Sequence, residues 1–444
     1  MLSGPDWTRF LDRASRVRVL VENTSLRSQA DHDLYERCSA IFLTMAALRD
    51  PILLTPNLHK LEWQTSLTTL SPVINLFISP SLQSLEIDAK LLINDVIRVP
   101  LGDTCPELRH LKITGNARSA ASTISSVLRR LHCLETAACS TLDNDAFVHL
   151  AQVKSLSYLA VDMRWSVLNL DILSDRLHPG SFLSLQTLYW KDYNLDSLAD
   201  MFLMPDISPP NVHLEIESFC TSSSLRTFLH AFTAKFPCTR AFSLAHDIEA
   251  GRRFGLQVGA PGREHQLDAC DLKPLLALKS LRVLSLVDLG HLRLDDDLVK
   301  TIASASPELE QLCLGMDAAT IPPSVTFDGL LSLLQHCPKL QSLGLCIDAE
   351  DMLSFWDTAV RHDRVTHLQL EGSILGSRRG EVDAMLRRVL PGLMTVEESL
   401  DGMTWRVRNV NAMEGKGGAT RMSVRGGRTA GRRTRNSLES ARDG

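Results

Sequence analysis

Phe327-Asp328-Gly329-Leu330-Leu331-Ser332-Leu333-Leu334-Gln335-His336-Cys337-Pro338-Lys339-Leu340-Gln341-Ser342-Leu343-Gly344-Leu345 is a stretch in which two periods meet. Phe327, Leu330, Leu331 and Leu334 recur at three and four residues, the face of a helix. After Cys337-Pro338 the pattern becomes L-x-x-L-x-L at Leu340, Leu343 and Leu345, and the last two leucines share one face of a short strand. A unit this small cannot bury its own apolar face and must stack on copies of itself.

Thirteen windows take the same frame, most with Pro or a polar residue just ahead. Clear copies are Pro56-Asn57-Leu58-His59-Lys60-Leu61, Pro80-Ser81-Leu82-Gln83-Ser84-Leu85, Cys105-Pro106-Glu107-Leu108-Arg109-His110-Leu111, Leu281-Arg282-Val283-Leu284 and Pro307-Glu308-Leu309-Glu310-Gln311-Leu312. Weaker copies begin at Leu134, Leu156, Leu185, Asn211, Thr239, Val365 and Leu393. The second apolar positions are Leu61, Leu85, Leu111, Ala137, Leu159, Leu188, Leu214, Phe242, Leu284, Leu312, Leu343, Leu368 and Val396. Their steps are 24, 26, 26, 22, 29, 26, 28, 42, 28, 31, 25 and 28 residues, the spacing of leucine-rich repeats. An incomplete copy at Val17 and Leu20 precedes them.

The expected fold is therefore an α/β leucine-rich-repeat solenoid: a curved horseshoe with parallel strands on the concave face and full helices on the convex face. Helical spacing recurs between strands at Leu34–Leu48, Ile124–Leu131, Leu225–Phe236, Leu298–Ile302, Phe327–Leu334 and Val382–Val389. Asp295, Asp296 and Asp297 open one of these helices, where negative charge suits the dipole. The expected organisation is an N-terminal cap over 1–50 and a repeat array over 51–410. A disordered basic Gly/Arg tail is expected over 411–444. The 42-residue step implies an insertion at about 246–275, expected to be either disordered or functional. Asp401-Gly402 with alternating Trp405 and Val407 predicts a terminal hairpin that covers the last strand edge.

Composition fits this reading. The chain has 444 residues, 44% of them hydrophobic, and a net charge of −5. From Asn411 to Gly444 eight basic residues face three acidic ones, so the tail carries +5 and the remainder −10. The tail lacks aromatic residues, so base stacking has no platform there and nucleic acid is not the expected partner. A solvated end or a nuclear-import signal both fit it. No window is apolar enough to span a membrane, and Met1–Phe10 lacks a signal-peptide pattern. Ten cysteines without a CxxC pair read as reduced, largely buried thiols. A cytoplasmic or nuclear location, or both, is expected.

Catalysis has no candidate. The chain contains no HExxH, Walker loop, GxGxxG or GxSxG, and His362-Asp363-Arg364 only superficially resembles a kinase catalytic loop. No cofactor or metal is expected. The frame instead identifies the strand positions that face away from the core. They are charged in early and middle repeats, at Lys60, Glu62 and Gln64; Ser84, Glu86 and Asp88; His110, Lys112 and Thr114; Tyr158, Ala160 and Asp162; Thr187, Tyr189 and Lys191; and His213, Glu215 and Glu217. Later they turn small and uncharged, at Ala241, Ser243 and Ala245; Val283, Ser285 and Val287; Gln311, Cys313 and Gly315; and Ser342, Gly344 and Cys346. Polarity returns at His367, Gln369 and Glu371. The candidate partner-docking residues are accordingly Ser243, Ser285, Gln311, Cys313, Ser342 and Gly344, rimmed by Tyr189, Glu215 and Glu217 on one side and His367 and Glu371 on the other. The smooth strip also fits a cover formed by the chain's own insertion folding over it, or a tight curvature that requires small residues.

The Phe327–Leu345 stretch resembles the cysteine-containing, ribonuclease-inhibitor-like repeat of F-box and leucine-rich-repeat proteins, and Cys105-Pro106-Glu107-Leu108 repeats it. Asp6-Trp7-Thr8-Arg9-Phe10 with Arg16-Val17-Arg18-Val19-Leu20 is similar to the stretch joining F-box to repeats in fungal members. The resemblance covers roughly residues 6–400. It implies a protein-binding, non-enzymatic substrate receptor related to SCF ubiquitin ligases, whose repeats hold the protein to be tagged. The chain departs from the family in having no Leu-Pro-x-Glu F-box helix ahead of Val17. The expectation is either a start that omits the F-box, with an SCF adaptor as partner only in that case, or a free-standing scaffold or regulator.

Overall fold

A computed structural model describes residues 4–21, 40–46, 53–63, 68–93, 97, 101–115, 118–199, 202, 204, 207–247, 265–315, 323–349, 359–370, 373–374, 379–400 and 403–408. Each L-x-L becomes a short strand: β1 (Val19–Val21), β2 (Lys60–Trp63), β3 (Ser84–Asp88), β4 (His110–Thr114), β5 (Thr136–Cys139), β6 (Tyr158–Asp162), β7 (Thr187–Asp192), β8 (Asn211–Ile216) and β9 (Ala241–His246). After the outlying β10 (Gln266–Asp268) come β11 (Val283–Val287), the outlying β12 (His291–Arg293), β13 (Gln311–Leu314), β14 (Ser342–Leu345) and β15 (His367–Gln369). The chain's last strands are β16 (Thr395–Leu400) and β17 (Met403–Arg408). One 15-stranded sheet takes them in chain order, omitting only β10 and β12, and every pair is parallel until the antiparallel β16–β17 hairpin. The protein is an α/β leucine-rich-repeat solenoid.

In-register pairing keeps like positions together. Leu20, Leu61, Leu85, Leu111, Ala137, Leu159 and Leu188 stand side by side across β1–β7. Except for Leu20, which is partly buried, these residues are at most 1% exposed, and burial of each aliphatic side chain contributes about 1.5–3 kcal/mol. The second layer consists of the helices Ala121–Leu128, Asn144–Gln152, Leu170–Arg176, Ser222–Lys235, Asp296–Ala305, Phe327–His336 and Arg379–Val389, and neighbours such as Ala121–Leu128 with Asn144–Gln152 and Asp296–Ala305 with Phe327–His336 pack on one another. Asp143, Asn169, Thr221, Asp295 and Thr326 cap five of them with side-chain oxygens that accept free backbone N–H groups.

The motif cysteines are structural. Cys105 Sγ donates to the Ser79 carbonyl at 3.3 Å, and Cys337 Sγ to the Ser306 carbonyl at 3.7 Å. His362, one repeat after Cys337, places Nε2 3.1 Å from the Cys337 carbonyl. All five residues stand six places ahead of a second apolar position, so one ladder position stitches these repeats to their predecessors. His362 is thus a core contact. Not every thiol is buried as expected: Cys133, Cys238 and Cys270 are exposed, and Cys313 and Cys346 are half-buried.

Three expectations need correction. In β8 the residue paired with Leu188 and Phe242 is Val212, not Leu214, so the adjacent steps are 24 and 30 residues. Because Val212, Leu214 and Ile216 are all buried, alternation alone left the frame free to slide by two. Second, full helices do not occupy every convex segment: Thr68–Leu76 and Ala269–Ala277 are 3-10 helices containing Pro72 and Pro274, and Leu195–Ala199 is a short turn of helix. Third, the long step does not reach 275 as an open loop. Residues 266–268 form β10, which pairs in parallel with β12 in a separate two-stranded sheet, and the 3-10 helix follows at once. Residues 248–264 lie outside the described residues.

Candidate functional site

The concave face carries two principal rows of side chains. Glu62, Glu86, Lys112, Ala138, Ala160, Tyr189, His213, Ser243, Ser285, Cys313, Gly344 and Gln369 form the central row. Lys60, Ser84, His110, Thr136, Tyr158, Thr187, Asn211, Ala241, Val283, Gln311, Ser342 and His367 form the row beside it. The sheet therefore brings Tyr189, Ser243, Ser285, Gln311, Cys313, Ser342, Gly344 and His367 onto one face, as the frame required. Glu371 lies outside the described residues.

Within the smooth strip, Gly344 is buried. Cys313 Sγ reaches across it to Gln369 Oε1 at 3.9 Å, and Cys346 Sγ donates to the Gly315 carbonyl at 2.7 Å. His367 is exposed, with Nδ1 2.8 Å from Thr366 Oγ1. His213 is half-buried, and desolvation holds its pKa below the ordinary imidazole value.

The rim acids Glu215 and Glu217 are both held in ion pairs. Glu217 lies one residue beyond β8 and pairs with Arg164, whose guanidinium also binds Asp162 at 2.8 and 2.6 Å. Lys191 pairs with both Glu215 and Asp247. These six side chains are 9–20% exposed. Among the described ion pairs, four carboxylates thus meet two cations in a half-buried patch. Burial and then the nearby Asp247 carboxylate push the Glu215 pKa up from 4.5 to about 7, while burial lowers that of Lys191. Sequence reasoning missed Arg164 and Asp247 because both stand outside strands, where the frame assigns no direction.

The patch also pins the insertion. Asp247 is its last described residue before 248, and the rings of His246 and His265, on either side of the segment, meet Phe219 at 4.3 and 5.7 Å. His246 Nε2 is 2.8 Å from the Glu217 carbonyl, and His265 Nδ1 is 3.1 Å from that of Cys220.

Sequence reasoning also missed a groove in the first half of the concave face. A groove of about 580 Å³ is lined by residues of β2–β7, among them Lys60, Glu86, His110, Tyr158 and Tyr189. Its floor is low at Ala138 and Ala160. The salt bridges Lys60–Glu62 (2.6 Å) and Lys112–Glu86 (2.7 Å) neutralise its far end. Among the described residues no cluster of His, Cys, Asp or Glu could hold a metal ion, and no helix is long and apolar enough to cross a membrane.

No family model matches the sequence, and no curated protein matches it. Among solved structures, a chain in the crystal structure of the Rad7 and Elc1 complex in yeast is similar over 84% of this chain and 93% of its own, at 14% identity and a TM-score of 0.45. The leucine-rich repeat-containing protein LegL7 from Legionella pneumophila is similar over 78% of this chain and 92% of its own, at 13% identity and a TM-score of 0.33.

Proposed function

We propose that this chain is a protein-binding module that holds its partner on the concave sheet face and carries out no chemistry of its own. The carrying observation is the aligned central row from Glu62 to Gln369, which presents residues from twelve consecutive strands of the sheet to one ligand. Such a surface suits a macromolecule, and its polar edge with a smooth centre matches the anatomy of interfaces. Ser243, Ser285, Gln311, Cys313, Ser342 and Gly344 are the proposed smooth contact, with Tyr189 and His367 at its borders.

The role proposed for this grip is that of a substrate-receptor-like component related to SCF ubiquitin ligases. The repeat and linker resemblance supports it. The competing role is a free-standing scaffold without ligase attachment. Affinity purification of the full chain followed by mass spectrometry tests both levels. Partner recovery should fall with Ser285→Arg or Cys313→Arg on the concave face and persist with Gln335→Arg on the helical face. Equal recovery with all three refutes concave binding. Co-recovery of the SCF adaptor and cullin supports the receptor role, and their absence alongside a retained partner favours the scaffold.

A further inference from the structure

The fifteen-stranded sheet has two ends. At one, the chain turns back on itself in the β16–β17 hairpin, whose outer strand carries Arg406 and Arg408. Charge on an edge strand discourages a further strand from joining. At the other end stands β1, Val19-Leu20-Val21, which among the described residues pairs only with β2 and carries no charged side chain. Val19 and Val21 are 55% and 50% exposed, whereas Val283, in the row of Val19 but on an interior strand, is half-buried. The two edge valines lack a neighbouring strand.

The backbone is set to receive one. Lys60 N–H donates to the Arg18 carbonyl at 3.0 Å, and the in-register pairing with β2 turns the N–H and C=O of Leu20 to the same side. Backbone groups alternate along a strand, so those of Val19 and Val21 face outward. The sequence here, Arg18-Val19-Leu20-Val21-Glu22, is also a palindrome about Leu20 with opposite charges at its ends. Arg18 donates from Nη1 to the Ser15 and Asn57 carbonyls at 2.9 and 3.4 Å and meets no carboxylate among the described residues.

We propose that β1 pairs antiparallel with β1 of a second copy of this chain, about a two-fold axis at Leu20, so that two solenoids share one continuous sheet. Val19 of each copy then lies opposite Val21 of the other, and the two exchange both of their backbone bonds, as a hydrogen-bonded antiparallel pair does. Leu20 lies opposite Leu20, and Arg18 opposite position 22 of the other copy. These are the non-hydrogen-bonded pairs, whose Cα atoms stand about 4.5 Å apart and whose side chains are closest. Opposite charges at such a pair favour this register. The contact uses the same patch on both copies and closes at two. A two-fold axis normal to the sheet leaves both concave faces open on the same side. The inference does not depend on what those faces bind.

Sedimentation velocity of the full chain at up to about 200 µM, a range suited to an interface below the standard size, should show a dimer that grows with concentration. Arg18→Glu and Glu22→Arg each set like charges opposite one another and should weaken it at least tenfold. An equimolar mixture of these two variants places opposite charges at both positions and should restore the dimer, as should the double variant Arg18→Glu, Glu22→Arg. Recovery on mixing also shows that both variants are folded. Val21→Pro removes an N–H that faces only outward and should abolish the dimer while circular dichroism stays unchanged. A chain that is monomeric throughout this range overturns the proposal, as does a dimer indifferent to Arg18→Glu or to Val21→Pro. Single variants that are weakened alone and no stronger when mixed overturn the two-fold register and the proposal with it. A dimer broken by Ser285→Arg joins through the concave face, which overturns it as well.

Discussion

Replacing Glu215 by Gln should make the protein more stable in mild alkali and leave it unchanged in acid. In the folded chain Glu215 lies beside Asp247 and shares Lys191 with it, so burial and that second carboxylate raise its pKa from 4.5 to about 7. The folded state therefore holds a proton that the unfolded chain has already released between those two values. Stability is fully present below pH ~4.5, falls as pH rises through that window and is lost above about 7. Each unit is worth about 1.4 kcal/mol, so the shift from 4.5 to about 7 corresponds to at most about 3.5 kcal/mol at pH 8, and solvent access at the patch reduces it to about 1–2 kcal/mol. Gln keeps the hydrogen-bonding shape and removes the charge.

The assay is thermal unfolding of the wild type and Glu215→Gln by circular dichroism from pH 5 to 8.5, read as the difference between them. Desolvation lowers the pKa values of His213 and His246, and both residues lose stability as pH falls, the opposite slope. Subtraction cancels that contribution. The variant should melt at the wild-type temperature at pH 5 and several degrees above it at pH 8. A variant that melts lower at pH 8, or a difference flat with pH, would show that Lys191 compensates Glu215 fully and that the patch has no excess charge.

Further predictions concern single sites. Arg164→Met should cost about 3–5 kcal/mol by leaving Asp162 and Glu217 uncompensated in a half-buried place, seen as faster hydrogen exchange across β6–β8. Burial pushes the thiols of Cys105, Cys139, Cys220 and Cys337 up to about 12. At pH 8 iodoacetamide should therefore label Cys133, Cys238 and Cys270 first by mass spectrometry, and the buried four only after unfolding. Gly392→Ala would drive a Cβ into the Asp363 carbonyl and should cost about 1–3 kcal/mol. Gly380→Ala, with nothing within 4 Å, should gain about 0.4–1 kcal/mol. Melting temperatures distinguish the two.

The strand positions were legible because each repeat states its register twice, once in the leucines and once in the Pro- or Cys-marked turn ahead of them. Where the turn marker is present, as at Cys105, Pro307 or Cys337, the frame and the pairing agree. Asn211 follows Pro209-Pro210, but three alternating apolar residues, Val212, Leu214 and Ile216, permit two registers. The pairing of β8 with β7 decides between them. The convex side was harder to read because short helices such as Leu195–Ala199 carry too few turns for a period to emerge. At the concave face, direction was legible but partnership was not. The frame placed Lys191 and Glu215 correctly, yet it had no means of bringing in Arg164 and Asp247 from outside the strands. The low floor of the groove at Ala138 and Ala160 arises from what two strands omit, and a roll of polar positions passes over it.

Phe219 meets the rings of both His246 and His265, described residues on either side of segment 248–264, and so ties the two flanks to one side chain. For protein engineering such a clasp is a splice port. Once the ends are fastened, doubling the length between them adds only about 0.6 kcal/mol of closure entropy. A fluorescent domain or an affinity handle inserted there would load the clasp and leave the fifteen-stranded sheet undisturbed.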